Sequence, residues 1–543
     1  MIVTNFLPLV LICVLACATP CEEIKPLAFP ITDVQILPND PESLTKGIPA
    51  GVGTPGQNIV FLPWPELNNT WIYDEQPFCD PSIIFNDVIC RVRRGNLYSE
   101  GNSSSYQKTE DIPSAGGAPV ETQGEGAELG IGKLLGTSVA VQDSLNIGSV
   151  KIAKPYPFGV PRLSWDHGYT ISHALGLGSN STLLNILVQT NQIGSRVWSI
   201  FWGRMWVDPE DAIDGSLVLG GYDTQKIIGK NYTQPLDYSD TTGCWTGMKV
   251  QVSSVKLNIL NGDEVELLPQ NTIVDTCIVP QRQLLLEGPE AIVDAFENET
   301  KMSHIGRSFG IHWSAYLYED TDIFDGDMTI SLSSGLEARI PNNQYLVPFV
   351  EVDRNGSRVF NTSQRELLLN AVTDNPSTLG RYFFTGAYLM VNHDAGTFTM
   401  WAANPTREST LISVVSTNSE VSCDNTTKPD PISSPMVSKA ATLSAGSIAG
   451  IAVGVVAALA IVGVVVGVYF FRRRTRSNEM APTIDPSNAP PEEKDVPMTV
   501  SRPAQVADAP HELHADMRPE LAGDERQWPL RIYETPDRGV ASG

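Results

Sequence analysis

From about Thr19 to Ala403 the chain alternates short runs rich in Val, Ile and Leu with turns built from Gly, Asn, Asp and Pro. Runs of that length bounded by turn residues predict β-strands, and long helical periodicity is scarce. Gln281–Phe296 is the best helix candidate. The pattern predicts an all-β ectodomain over residues 19–403. Two apolar stretches break the rhythm. Phe6–Ala16, ending in Ala16-Cys17-Ala18, predicts a secretory signal peptide over residues 1–18, although its n-region lacks a basic residue. Ile448–Phe471 carries no charge and runs directly into Arg472-Arg473-Arg474, so residues 446–471 read as one transmembrane helix with its C-terminal end in the cytoplasm. Together these features predict a type I single-pass protein of the plasma membrane with an extracellular ectodomain. Residues 404–445 turn to Ser, Thr, Pro and Asn and read as a solvated stalk. Residues 472–543 read as a disordered cytoplasmic tail, since Ser477–Gly543 is rich in Pro and holds 13 Asp/Glu against 6 Lys/Arg.

The formal net charge of −25 argues against a nucleic-acid partner. Removing the signal peptide takes Cys13 and Cys17 and leaves Cys21, Cys79, Cys90, Cys244, Cys277 and Cys423, an even set suited to an oxidising compartment. No Cys-x-x-Cys pair or His-Glu-x-x-His stands among the residues, so neither a metal nor another cofactor is expected. Asn68, Asn102, Asn180, Asn231, Asn298, Asn355, Asn361 and Asn425 each open an Asn-x-Ser/Thr sequon. All eight lie between the two apolar segments, as glycosylation sites of this topology would.

Gly53-Thr54-Pro55-Gly56-Gln57 opens a strand that reaches Trp71-Ile72, and Ile273-Val274-Asp275-Thr276 follows roughly 200 residues later. Gly215-Ser216-Leu217-Val218-Leu219-Gly220-Gly221 lies between them, and Leu379-Gly380-Arg381-Tyr382-Phe383-Phe384 closes the set. In this order the motifs resemble the pepsin-like aspartic proteases, especially membrane-anchored fungal members. The resemblance covers about Ile48–Ala403. It implies a bilobal fold, with lobes of about 19–220 and 221–403 related by a pseudo-twofold axis and a substrate cleft between them. Each lobe of the family supplies one catalytic aspartate in an Asp-Thr/Ser-Gly loop. One carboxylate takes a proton from water while its protonated partner donates to the scissile carbonyl, so the chemistry needs both.

Family spacing from Gly53 puts the first aspartate at position 64, where this chain has Trp64, and a strand-ending tryptophan at Trp71, which is present. An indole offers no carboxylate, and its bulk should occupy the place of the catalytic water. Asp275 fills the remaining dyad position, inactive alone, with Cys277 where the loop glycine belongs. Counted this way, Trp64 and Asp275 are offset by 211 residues, and the glycines of Ala174-Leu175-Gly176 and Thr378-Leu379-Gly380 by 204. Glu66 is the only acid near Trp64. The flap tyrosine of the family is missing from Gly124-Glu125-Gly126-Ala127-Glu128, and the residues between Ala18 and Gly53 leave no room for an inhibitory pro-segment. The resemblance also implies a Cys79–Cys90 disulfide loop. Cys21, Cys244, Cys277 and Cys423 then have three connectivities, of which Cys244–Cys277 is preferred because it would turn the lost glycine into a staple.

Gly306-Arg307-Ser308-Phe309-Gly310 matches the nucleophile elbow of α/β-hydrolases, but the β-rich setting lacks the strand-to-helix turn that motif needs. It reads as a surface loop, with His304 and His312 as surface or satisfied core histidines. The reading favoured by the residues is a non-catalytic pseudoprotease at the fungal cell surface, binding a peptide or wall ligand in its cleft. Its tail would serve an unidentified cytoplasmic partner. The alternatives are an active aspartic endopeptidase at the plasma membrane and a structural glycoprotein tethering membrane to cell wall.

Overall fold

A computed structural model describes residues 24–415 apart from 77–78, 80–83, 85, 110–137, 163–171, 239–243 and 373–375. Strands dominate, as the alternation predicts. The largest sheet passes through Ile227–Pro235, Thr397–Ala403, Ala387–Asn392, Val197–Arg204, Ile213–Leu219, Leu27–Gln35, Leu44–Val52, Gln57–Trp64 and His173–Gly176 in that order. Two strands from the end of the chain thus return to a sheet begun by the first half, with Leu389 opposite Ile200. Every residue from Val197 to Gly203 is buried, the signature of a strand covered on both faces. A second sheet joins Glu337–Ile340, Gly326–Leu332, Lys249–Ile259, Val274–Ile278, Ser377–Leu379, Leu286–Gly288 and Leu369–Ala371. A third joins Gly306–Arg307, Tyr316–Glu319, Arg358–Leu367 and Leu346–Val352. Along Gly326–Leu332 buried and half-buried positions alternate, so this strand meets the core on one face only.

The helix expected over Gln281–Phe296 forms only at Glu290–Thr300. Pro289 precedes it, and a residue before proline is driven out of the α region, which excludes Gly288 from a continuous helix. Leu286–Gly288 instead pairs with Leu369–Ala371 on one side, and Leu286 and Glu287 pair with the Ser377–Leu379 strand on the other. Strand structure also continues past Asn404, where the composition predicted a solvated stalk. Leu411–Ser413 pairs with Gly221–Asp223, and the Thr410 N–H donates to Asp223 at 2.8 Å. The run Leu411-Ile412-Ser413-Val414 has strand character that the surrounding Ser/Thr composition hides.

Both expected disulfides are present, Cys79–Cys90 and Cys244–Cys277. Their sequence separations are 11 and 33. Closing the longer loop is worth about 3–4 kcal/mol in the chain-entropy account. Cys21, Cys423, Asn425, the signal peptide, the stalk beyond Val415, the transmembrane segment, the tail and residues 124–128 lie outside the described residues. Among those described, no helix is long and apolar enough to cross a membrane.

One arrangement occurs twice. In the first half the strand Gln57–Trp64 runs antiparallel to Leu44–Val52 and parallel to His173–Gly176, with Phe61 opposite His173 and Trp64 opposite Gly176. In the second half Val274–Ile278 runs antiparallel to Lys249–Ile259 and parallel to Ser377–Leu379, with Thr276 opposite Ser377. The chain then crosses back close beneath a glycine in each copy. A Cβ on Gly176 would lie 2.3 Å from the Asn69 carbonyl oxygen, and one on Gly380 would lie 2.2 Å from that of Leu284.

Two predictions follow from this packing. Gly176→Ala and Gly380→Ala should each destabilise the full chain by about 1–3 kcal/mol or more in denaturant unfolding, because backbone has to move. Stability should also fall in acid. His173 is fully buried, its Nδ1 accepting from the Tyr73 N–H at 2.9 Å, and burial pushes its pKa down to about 3. Folded His173 stays neutral while the unfolded chain takes up a proton near the ordinary value of 6.5. Its contribution is complete above that value and is lost as pH falls toward 3. A thermal melt series from pH 7.5 to 4 should show Tm level down to about pH 6.5 and declining steadily below it.

Candidate functional site

The site implied by the resemblance centres on the end of the strand Gln57–Trp64. Ile59 to Trp64 are all buried, because this strand is central in its sheet and packed on both faces. Pro65 ends the ladder, and the chain turns as the Leu67 N–H donates to the Trp64 carbonyl at 3.2 Å. It returns at Trp71, whose ring lies so close to Gly159 that a Cβ there would be 2.1 Å away. Trp64 is only 2% exposed, and its indole N–H donates to a Glu66 carboxylate oxygen at 3.2 Å. From the second half, Gln281 Nε2 donates to the same oxygen at 2.6 Å. Gln281 is itself buried, and its amide oxygen has no partner among the described residues. Trp64, Glu66 and Gln281 therefore form a seam between the halves.

The ladders correct the counting that paired Trp64 with Asp275. Phe61 and His173 correspond to Thr276 and Ser377, an offset of 215 on the first strand and 204 on the second. The carbonyls beneath the two glycines, at Asn69 and Leu284, carry the same 215. Trp64 then corresponds to Val279, and Glu66 to Gln281. The turn hydrogen bond repeats as well, with the Arg282 N–H donating to the Val279 carbonyl at 2.9 Å. Val279 is 2% exposed and carries no ionisable group.

Asp275 corresponds to Val60, four residues earlier. In the first half the helix Asp87–Arg94 covers that position, and Val60 packs with Ile89 and Val92. The second half leaves the equivalent face open. Asp275 projects with 58% of its side chain exposed, accepting from Gln251 at 3.0 Å and pairing with Lys249 at 3.1 Å. These two neighbours, Gln251 first, hold its carboxyl below the usual range. Cys277 likewise occupies the middle of a strand and not a loop glycine position. The ladder continues through it to Lys249 and Thr378 without distortion, and its sulfur reaches Cys244.

The sequon at Asn68 is closed by folding. Asn68 is 4% exposed and its side-chain oxygen takes the Asn180 N–H at 2.9 Å, while Thr70 is bonded to the Tyr156 hydroxyl. A glycan on Asn68 is incompatible with this packing. Asn102, Asn180, Asn231, Asn298 and Asn355 are exposed, and Asn361 is half-buried.

Ser308 is buried, contrary to the surface loop expected there, because its hydroxyl donates to the buried Glu366 carboxylate. The other Glu366 oxygen meets His312 Nδ1 at 2.5 Å, and His312 Nε2 meets the Tyr382 hydroxyl at 2.7 Å. The serine hydroxyl thus faces a carboxylate and not the imidazole that would have to take its proton, so this network holds the core and activates no nucleophile. His304 pairs with Glu297 on the surface. Among the described residues no group of three His, Cys, Asp or Glu side chains is placed to hold a metal ion. The seam Glu66–Gln281 is the feature that residue patterns missed. Glu66 stands out as the acid nearest Trp64, but Gln281 sits in the stretch read as helix.

No protein-family model matches the chain, and no curated protein matches it.

Asp275→Asn removes one exposed ion pair. The unfolding free energy of the full chain should change by less than about 0.5 kcal/mol in a denaturant titration.

Proposed function

We propose that the chain is a pepsin-like aspartic protease fold without its chemistry: a membrane-anchored, cell-surface pseudoprotease whose interlobe cleft binds a peptide or wall ligand. The twice-used strand crossing, with its buried glycine in each half, supports the bilobal reading. One observation carries the loss of chemistry. The two positions that correspond across the repeat hold Trp64 and Val279, and neither offers a carboxylate. Glu66 lies beside them as a lone acid, already accepting from Trp64 and Gln281. A single carboxylate cannot serve as ionised base and protonated acid in the same step. The exposed, ion-paired Asp275 is not positioned by the repeat to supply the second.

The full chain should cleave no unstructured protein between pH 3 and 7, and Asp275→Asn or Glu66→Gln should leave that background unchanged. Pepstatin-sensitive cleavage abolished by either substitution would overturn the reading. Trp64→Asp alone should yield no turnover above background, because residues that act as a catalytic unit are not restored singly.

A further inference from the structure

The two ends of the described chain meet at one turn. Pro26 and Ile412 both pack against Gly221, where an added Cβ would lie 2.1 Å from the Ile412 carbonyl oxygen and 2.6 Å from Pro26 Cγ. Leu27 pairs with Leu219 just before this glycine, and Ser413 pairs with Gly221 itself. The ends are also bonded directly, the Ser413 hydroxyl donating to the Ile24 carbonyl at 2.8 Å. One residue further on, the Val414 N–H donates to the Gly220 carbonyl at 3.0 Å, and the Val414 carbonyl accepts from the Ser195 hydroxyl. The chain entering at Ile24 and the chain leaving at Val414 are thus held side by side.

A cysteine lies in the sequence just outside each end. Cys21 stands three residues before Ile24, and Cys423 ten residues after Ser413. A chain spans at most about 3.6 Å per residue, roughly 11 Å and 36 Å for these two stretches. Two cysteines tethered so close together can readily bring their Cα atoms within the roughly 4.4–6.8 Å that a disulfide needs. Without the signal peptide, the other four cysteines are already joined to one another, Cys79 to Cys90 and Cys244 to Cys277. Two such bonds belong to an oxidising compartment. There a short tether keeps each remaining thiol at an effective concentration of about millimolar around the other, far above that of any second chain.

We propose that Cys21 and Cys423 form a third disulfide, which clasps the base of the stalk to the start of the fold. One of the two thiolates attacks a protein disulfide of the secretory pathway and forms a mixed disulfide with it. The other cysteine then displaces the oxidant's sulfur, so the pair loses two electrons and two protons and the oxidant leaves as a dithiol. This inference rests on the secretory topology and is independent of whether the cleft is catalytic. The clasp has a mechanical meaning for an anchored protein. Leu411–Ser413 is a strand of only three residues, whereas Leu27–Gln35 lies inside the largest sheet, between Ile213–Leu219 and Leu44–Val52. A pull from the membrane side is carried by the covalent bond into that inner strand, and the short strand does not peel away.

The test uses the full chain purified from a eukaryotic secretory host. Digestion without reductant, after blocking free thiols, should give the Cys21 and Cys423 peptides joined in one mass that separates on reduction. Titrated for thiols in denaturant without reductant, the unmodified chain should show none, Cys21→Ser and Cys423→Ser about one each, and the double variant none. In the double variant the amides of Leu411–Val414 should exchange with solvent about tenfold faster or more, while those of Val197–Gly203 keep their rate. The digest carries its own control in Cys79–Cys90 and Cys244–Cys277. With those bonds intact, free thiols at Cys21 and Cys423, or either residue joined to another cysteine or to a second chain, would overturn the proposal. All four control cysteines found reduced would instead overturn the secretory topology on which it rests.

Discussion

Two carbonyl oxygens, those of Asn69 and Leu284, lie where a side chain on Gly176 or Gly380 would have to go. That close approach is the constraint on which both halves of the molecule are built. It lets the returning chain cross directly under the parallel strand pair, so that the ends of Gln57–Trp64 and Val274–Ile278 become buried, rigid and alike. With a Cβ at either glycine the crossing segment would have to lift away. The positions at the strand ends would then lose their fixed relation to one another.

What those fixed positions carry is apolar bulk. Trp64 and Val279 fill a place where the fold could have presented two facing groups, and the remaining polarity is taken up by one carboxylate between an indole N–H and a glutamine amide. Such an arrangement joins the halves by hydrogen bonds, with the Gln281 amide oxygen left without a partner among the described residues. The sheet shared through Leu389 and Ile200 ties the halves together from the other side.

Much of this is legible in the residues. The short Val/Ile/Leu runs and the Gly/Pro/Asn turns foretell a β protein because strand length and turn chemistry are local properties. Trp64 and Trp71 stand out by their spacing from Gly53, and the Cys244–Cys277 pairing was the preferred one of three. The counterpart of Trp64 is not legible in the residues, for a physical reason. Side chains alternate along a strand with period two, so sliding the correspondence by four residues, from Val279 to Asp275, changes no residue's face. Only the hydrogen-bond ladder distinguishes an offset of 211 from one of 215.

The sequence by itself determined the strand-rich character of the described residues, the absence of an acid at position 64 and the cysteines available to staple the fold. The tertiary structure decided which residues meet. Gln281 could be joined to Glu66, Asp33 paired with Arg358 and Asn68 closed to sugar only by folding, because each depends on a partner 100 or more residues away. Charge on a side chain is written locally. Whether that charge is neutralised or exposed is settled by which strand arrives beside it.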